Sequence, residues 1–199
     1  MLSFLKGMAV GISLIVAIGP QNAHVLRMGL TRQHVFLTAL VCTICDSLLI
    51  ALGISGLGLL ITANQILLLA IKYSGAAFLF YYGARSLIAA FRNDGLQVAG
   101  RSNSYSTRQA AAAVLAMSLL NPHVYLDTVM LIGSVGAQEP GAGKLYFGLG
   151  AALASLIWFF ALAYGARLLI PVFAKPAAWK ILDICIALIV WSIGLTLLV

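Results

Sequence analysis

Apolar positions run along this chain in six long stretches, at roughly 3–27, 34–62, 65–91, 108–137, 144–171 and 178–199. Crossing the hydrocarbon core of a bilayer takes about 20 predominantly apolar residues in helical form. Each stretch therefore predicts one transmembrane helix. The connections between them are short, which leaves no room for an appended soluble catalytic domain. Polar side chains break the pattern most sharply at two places about 100 residues apart. One is Gly19-Pro20-Gln21-Asn22, inside the first stretch. The other is Asn121-Pro122-His123, inside the fourth.

Composition turns this pattern into a class. Of 199 residues, 62% are hydrophobic and only 9% charged. Mean hydropathy is +1.05. Soluble domains carry about 25% charged residues, so the chain is expected to be an integral, all-α polytopic membrane protein. The first stretch has a single early lysine, Lys6, and no small-residue cleavage site before the Gly19-Pro20 break. It is read as a retained helix and not as a signal peptide. The net charge of +7 lies mostly in loops and has no aromatic interleaving. It is read as topology signal and lipid contact, with no nucleic acid partner.

Loop charge orients the helices. Arg27, Arg32, Arg92, Arg101, Arg108, Arg167, Lys175 and Lys180 fall on one side, with Arg85 near it. Lys6, Lys144 and Lys72 fall towards the other. Cytoplasmic loops accumulate Lys and Arg. The first, third and fifth connections are therefore expected inside and both termini outside.

The Gly-, Ser- and Asn-rich stretch at about 93–107 reads as a cytoplasmic connector. It divides a single transporter domain, 1–199, into repeat one (about 1–92) and repeat two (about 108–199). Ser106 and Gln109 fit a capping box at the start of the fourth segment. Halves of three helices insert with opposite orientation, which is the geometry of an inverted repeat. Pro20 and Pro122 each fall in the first helix of their half. Phe78–Gly83 and Ile189–Gly194 are similar aromatic-rich stretches in the third helices. The expected fold is six transmembrane helices as two inverted three-helix repeats, with helices 1 and 4 broken at proline.

Proline lacks an N–H and clashes with the carbonyl four residues back. Pro20 is expected to free the carbonyl of Val16, and Pro122 that of Ser118. Unsatisfied carbonyls in lipid cost several kcal/mol, so such breaks are covered by protein or line a wet cavity. Half-helix ends carry partial charges of opposite sign. They suit a zwitterion, with Gln21, Asn22, Asn121 and His123 beside them.

Two carboxylates lie at bilayer depth, where each costs about 2.5–3.5 kcal/mol. Asp46 shares a face with Cys42, Thr43, Ile50 and Gly53, a small or polar surface expected to point into the bundle. Asp127 lies one turn after His123, near Tyr125 and Thr128. Each is a functional residue by default, as counter-ion to a cationic substrate or as a proton site. Asp183 is expected to pair with Lys180 at the interface. His24 and His34 flank a basic loop and are expected to be solvated.

Other signals carry less. Cys42-x-x-Cys45 sits in an apolar helix and is read as two small helix residues. No metal site or cofactor is expected, since ligands for zinc are too few and no P-loop or dinucleotide fingerprint is present. Gly7-x-x-x-Gly11 fits close helix packing, within the chain or between the copies of a homodimer. An aspartate-dyad protease inside the membrane is disfavoured, because its flanking signatures are missing and the prolines go unexplained. The chain is not expected to be an enzyme.

Gly19-Pro20-Gln21-Asn22, Asp46 and Asn121-Pro122-His123-Val124-Tyr125-Leu126-Asp127-Thr128 together resemble the lysine/arginine exporter (LysE-type) family. The resemblance spans nearly the whole chain. The second motif points to the basic-amino-acid, LysE/ArgO-like branch, because the homoserine/threonine branch is expected to carry Asn-Pro-Lys. The resemblance implies export of L-arginine or L-lysine across the bacterial inner membrane, driven by ion gradients. The positions matching family motifs are Pro20, Gln21, Asn22, Asp46, Asn121, Pro122, His123 and Asp127. On this reading the half-helix ends hold the α-carboxylate and α-ammonium. Asp46 or Asp127 pairs with the side-chain cation and the other takes a counter-proton. Tyr125 and Trp158 add cation–π contact. A neutral amino acid such as threonine or homoserine, or a divalent metal cation, is the alternative cargo.

Overall fold

The computed structural model describes residues 1–16, 19–56, 65–91, 105–121 and 124–198. Every regular element among them is helical. In chain order they are α1 (Leu2–Ile15), α2 (Pro20–Thr31), α3 (Val35–Ile54), α4 (Gln65–Phe91) and α5 (Thr107–Leu119). Then comes α6, a π-helical stretch Tyr125–Ile132 that continues as α-helix through Gly133–Ala137. α7 (Gly143–Gly165) and α8 (Pro176–Leu198) complete the set. Two short 3₁₀ turns, Ala166–Leu169 and Val172–Ala174, link them.

Three helical stretches among the described residues are long and apolar enough to cross a bilayer: Val35–Ile54, Gly143–Leu169 and Ala177–Leu198. The bent pair α1–α2 makes a fourth. Residues 57–64, at the end of the expected second segment, and most of the connector at 93–107 lie outside the described residues, as do Pro122 and His123.

The first apolar stretch is two helices that meet at 83°. Gly19 is extended, with φ −130° and ψ 179°, and Pro20 occupies the first turn of α2. Proline is favoured there because its missing N–H would have had no intrahelical partner anyway. So Pro20 starts a helix; it does not kink one. The fourth stretch is likewise interrupted, between Leu119 and Tyr125. At the start of α5 the expected capping box forms. Gln109 N donates to Ser106 Oγ at 3.2 Å and Ser106 N to Gln109 Oε1 at 3.0 Å.

Small residues set the packing. α1 lies against α7, with Gly7 on the Phe147 backbone, Gly11 on Ala151 and Gly150 on Phe4. The Gly7-x-x-x-Gly11 pair thus serves a contact within the chain. α3 crosses α6 where Gly53 meets Gly133 and the Val129 carbonyl. α3 also packs along α7, and α4 along α8. In that last pair Gly83 abuts Trp191 and Gly194 abuts Phe80. Trp191 Nε1 also donates to the Phe80 carbonyl at 3.1 Å. Close approach of backbones matters here because lipid is as apolar as a side chain, so helices associate through packing and hydrogen bonds.

At one end of the bundle Lys6 Nζ lies 2.6 Å from Glu139 Oε1 in the α6–α7 connection. Hydrogen bonding from Lys6, and then from Ser3, holds the Glu139 carboxyl below the usual carboxylate range. A lowered folded-state value stabilises above the unfolded value, so this tie weakens on acidification.

Two expectations about charged residues change. His24 is fully buried, not solvated. Asp183 pairs with Arg27 at 3.0 Å and not with Lys180, whose ammonium sits 4.9 Å from the Phe91 ring centroid. α2 continues inward past its break and carries Arg27 onto α8, so Arg27 is no longer a loop charge. His34 is half-buried, and its Nε2 donates to the Tyr105 carbonyl at 2.6 Å.

Candidate functional site: a carboxylate-lined cavity at the helix breaks

A cavity of about 340 Å³ lies where the broken ends meet α3, α6, α7 and α8. That volume is at the lower end for small-molecule sites, which span about 300–1,000 Å³. Gly19, Pro20, Gln21 and Asn22 line it from the start of α2, with Leu14 and Ile15 from the end of α1. Asp46 enters from α3 and Asn121 from the α5–α6 break. Val124, Asp127 and Thr128 contribute from α6 and its approach, Phe159 from α7, and Ile193 and Thr196 from α8.

The local chain explains each position. Asp46 lies just past the middle of α3, on the face that also buries Cys42, Thr43, Ile50 and Gly53, as the small-residue pattern predicts. Asp46 is 4% exposed. Its Oδ2 accepts a hydrogen bond from Ser155 Oγ of α7 at 2.9 Å. Ser155 is fully buried, on a face of α7 otherwise made of Gly150, Ala151, Ala154 and Phe159. The Gln21 amide stands beside the Asp46 carboxylate. Its Nε2 is buried and has no hydrogen-bond partner among the described residues. That sets a polar amide at the cavity wall against the carboxylate.

The two breaks are satisfied in the same way. Asn22 Nδ2 donates to the Ile15 carbonyl, exposed at the end of α1, at 2.9 Å. Trp158 Nε1 in turn donates to Asn22 Oδ1 at 3.1 Å. At the second break the Tyr125 hydroxyl donates to the Leu119 carbonyl at 2.8 Å. A side chain just beyond each break thus caps the helix before it, the accounting that a non-aqueous setting demands.

Most of the sequence-derived site residues come together. Pro20, Gln21, Asn22, Asp46, Asn121 and Asp127 all face the cavity. Tyr125 does not. It is buried against Leu49, Ile71 and Val129, and its hydroxyl is engaged in capping. Trp158 is likewise spent on Asn22. Pro122 and His123 lie outside the described residues. Sequence reasoning missed Ser155, Phe159, Ile193 and Thr196. Only Ser155 left a signal, as a hydroxyl on the small-residue face of an apolar helix.

Tyr125→Phe is expected to remove the hydrogen bond to the Leu119 carbonyl, at a cost of about 0.5–1.5 kcal/mol. The melting temperature of the purified protein should fall while the KM for transport stays unchanged. A raised KM with unaltered melting would instead put the hydroxyl on the substrate.

The chain matches the model of the LysE type translocator family over residues 12–199. It is 37% identical over 194 residues to the arginine exporter protein ArgO of Pectobacterium carotovorum, covering 98% of this chain and 95% of that protein. ArgO of Yersinia enterocolitica aligns with the same identity and coverage. A candidate amino-acid transporter, YggA, of Aeromonas salmonicida is 39% identical over 193 residues, covering 97% of this chain and 94% of that one. No solved structure matches the chain. A polytopic helical protein with a polar cavity at broken helix ends is a membrane transporter in form, and this chain belongs to the LysE-type translocators, a family of amino-acid transporters.

Proposed function

We propose that this protein exports L-arginine, L-lysine or both from the bacterial cytoplasm in exchange for protons. One observation carries the reading. Of the chain's five acidic residues, Asp46 and Asp127 line one cavity, and none of its 12 lysines and arginines is among the described lining residues. A cavity of that charge favours a cationic solute. The names of the two ArgO relatives support arginine.

The substrate's α-carboxylate is assigned to the Gln21 amide and the N-terminal end of α2, where the helix dipole favours an anion. The α-ammonium is assigned to the carbonyl-rich end of the second break at Asn121. Asp46 or Asp127 holds the side-chain cation and the other carboxylate carries the counter-proton. Moving one positive charge outward against an inside-negative potential costs about 2.3 kcal/mol per 100 mV. Exchange for one proton removes that electrical term.

The inverted-repeat reading gains support from helix pairing. Exchanging repeats one and two maps the α1–α7 contact onto the α3–α5 contact and the α2–α7 contact onto the α3–α6 contact. It maps the α3–α7 and α4–α8 contacts onto themselves. The reciprocal glycine–aromatic contacts of α4 and α8 and the matched caps at the two breaks follow the same rule. With Lys6 beside Glu139, the N-terminal end shares a side with the α6–α7 connection. This agrees with six crossings of the inner membrane and both termini outside.

The test is counterflow in loaded proteoliposomes, with labelled arginine, lysine, threonine and a divalent cation, under an imposed pH gradient. Arginine or lysine should exchange fastest, and collapsing the gradient should slow net export. Preference for threonine or the divalent cation would defeat the substrate assignment. Indifference to the gradient would defeat proton coupling.

A further inference from the structure

The described helices form two bodies. α4 and α8 pack extensively on each other, while α1, α3, α6 and α7 pack together on the other side. Contact between the bodies is sparser and runs largely through α2 and α5. There Ala23 and Met117 meet the α4–α8 core. The cavity lies on this seam, with Ile193 and Thr196 contributed by α8 and its other described walls by α1, α2, α3, α6, α7 and the α5–α6 break.

One end of the seam is closed by buried polar groups. Arg27 of α2 lies 3.0 Å from Asp183 Oδ1 of α8 and 3.4 Å from Ser86 Oγ of α4. The Asp183 contact is an ion pair without aligned hydrogen-bond geometry. His24, one turn earlier on α2, places Nδ1 2.9 Å from the Tyr82 hydroxyl of α4. Its Nε2 is fully buried and has no partner among the described residues. At the helical rise of about 1.5 Å per residue, Arg27 lies about 8 Å beyond Asn22, and Asp183 about 15 Å from Ile193. The cluster is thus well clear of the cavity, toward the end that carries the α2–α3 and α7–α8 connections.

A buried ion pair is a poor means of gaining stability, since well-packed apolar residues often do as well or better. Its distinguishing property is that it can part into water. An apolar seam exposes hydrocarbon when it opens, whereas charged and hydroxyl groups hydrate, and the orphan His24 Nε2 gains a partner. We propose that Arg27–Asp183, with His24–Tyr82 beside it, is the gate of one end of the translocation path, opened when the α4–α8 pair moves against the rest of the bundle. Rocking of one bundle against another around a fixed site is a common route to alternating access. The gate rests on reading the carboxylate-lined cavity as the transport site.

The experiment bridges the gate. Arg27→Cys and Asp183→Cys are introduced with Cys42→Ala, Cys45→Ala and Cys185→Ala, and joined in proteoliposomes by a short bifunctional thiosulfonate. Arginine counterflow should fall to the level of protein-free vesicles and return on reduction, while binding of labelled arginine persists. Undiminished counterflow after complete bridging overturns the gate, and so does loss of binding along with transport. If the cysteine-substituted background does not insert, Arg27→Met with Asp183→Met in the native background decides. The gate reading expects melting temperature kept or raised, arginine binding unchanged and counterflow slowed. A folded double variant with unchanged counterflow overturns it. Failure of the cavity reading shows separately, as unbridged protein that still binds and exchanges arginine when Asp46→Asn and Asp127→Asn are combined.

Discussion

Asp46→Asn is expected to impair arginine and lysine export sharply while the protein still inserts and folds. Asparagine keeps the size of the side chain and keeps an oxygen to accept the 2.9 Å hydrogen bond from Ser155. What it removes is the charge. Taking one partner from a buried, hydrogen-bonded charge pair costs about 2–5 kcal/mol, which is about 30-fold or more in affinity. Asp127→Asn should also impair export. Asp127 is less enclosed than Asp46, at the start of the π-helical stretch. The two variants separate the roles. Neutralising the substrate-holding carboxylate raises KM for the cationic amino acid. Neutralising the proton carrier leaves substrate binding intact and flattens the dependence of transport on the pH gradient. Full activity in both variants would sink the carboxylate mechanism.

Gly7→Leu is expected to cost most of the folded protein. A Cβ at Gly7 falls on the Phe147 carbonyl oxygen, and one at Gly150 meets the Phe4 carbonyl and Met8 N. Overpacking costs about 1–3 kcal/mol even where side chains shift to relieve it. Here the obstruction is backbone on both sides, so α1 must leave α7. Displacing α1 also moves Leu14 and Ile15, which line the cavity beside α2. Gly165→Ala is the control, because nothing among the described residues lies within 4 Å of a Cβ there. The measurement is the yield of monodisperse protein after detergent extraction, followed by melting temperature. Equal yields of the Gly7 and Gly165 variants would show that the α1–α7 contact is dispensable.

Much of this was legible in the sequence, for identifiable reasons. Apolar runs longer than a soluble helix needs mark membrane helices, because lipid leaves the backbone no other partner. The capping box at Ser106 is a local motif and forms as written. Asp46 could be assigned to a buried face because Cys42, Thr43, Ile50 and Gly53 recur at helical spacing around it. Gln21, Asn22, Asn121 and Asp127 could be grouped because helix breaks in lipid are too costly to be incidental. Long-range partners were not legible. Nothing local to Asp183 distinguishes Arg27 from Lys180, and the nearer cation in sequence proved the wrong one. His24 looked like a loop residue because the length of α2 beyond its break is a packing matter.

The sequence alone determined the class of protein, the places where its helices break and the burial of Asp46 within its helix. These follow from hydropathy, from the missing N–H of proline and from the cost of charge in lipid, all properties of short segments. Only the tertiary structure decided that Pro20 begins a helix, that Tyr125 and Trp158 serve the helix breaks and not the cavity, and that Ser155 supports Asp46. It alone joined Arg27 to Asp183 across the seam between the α4–α8 pair and the rest of the bundle. Each of those outcomes depends on which helix lies against which, and that is set by glycine-mediated backbone approach between segments far apart in the chain.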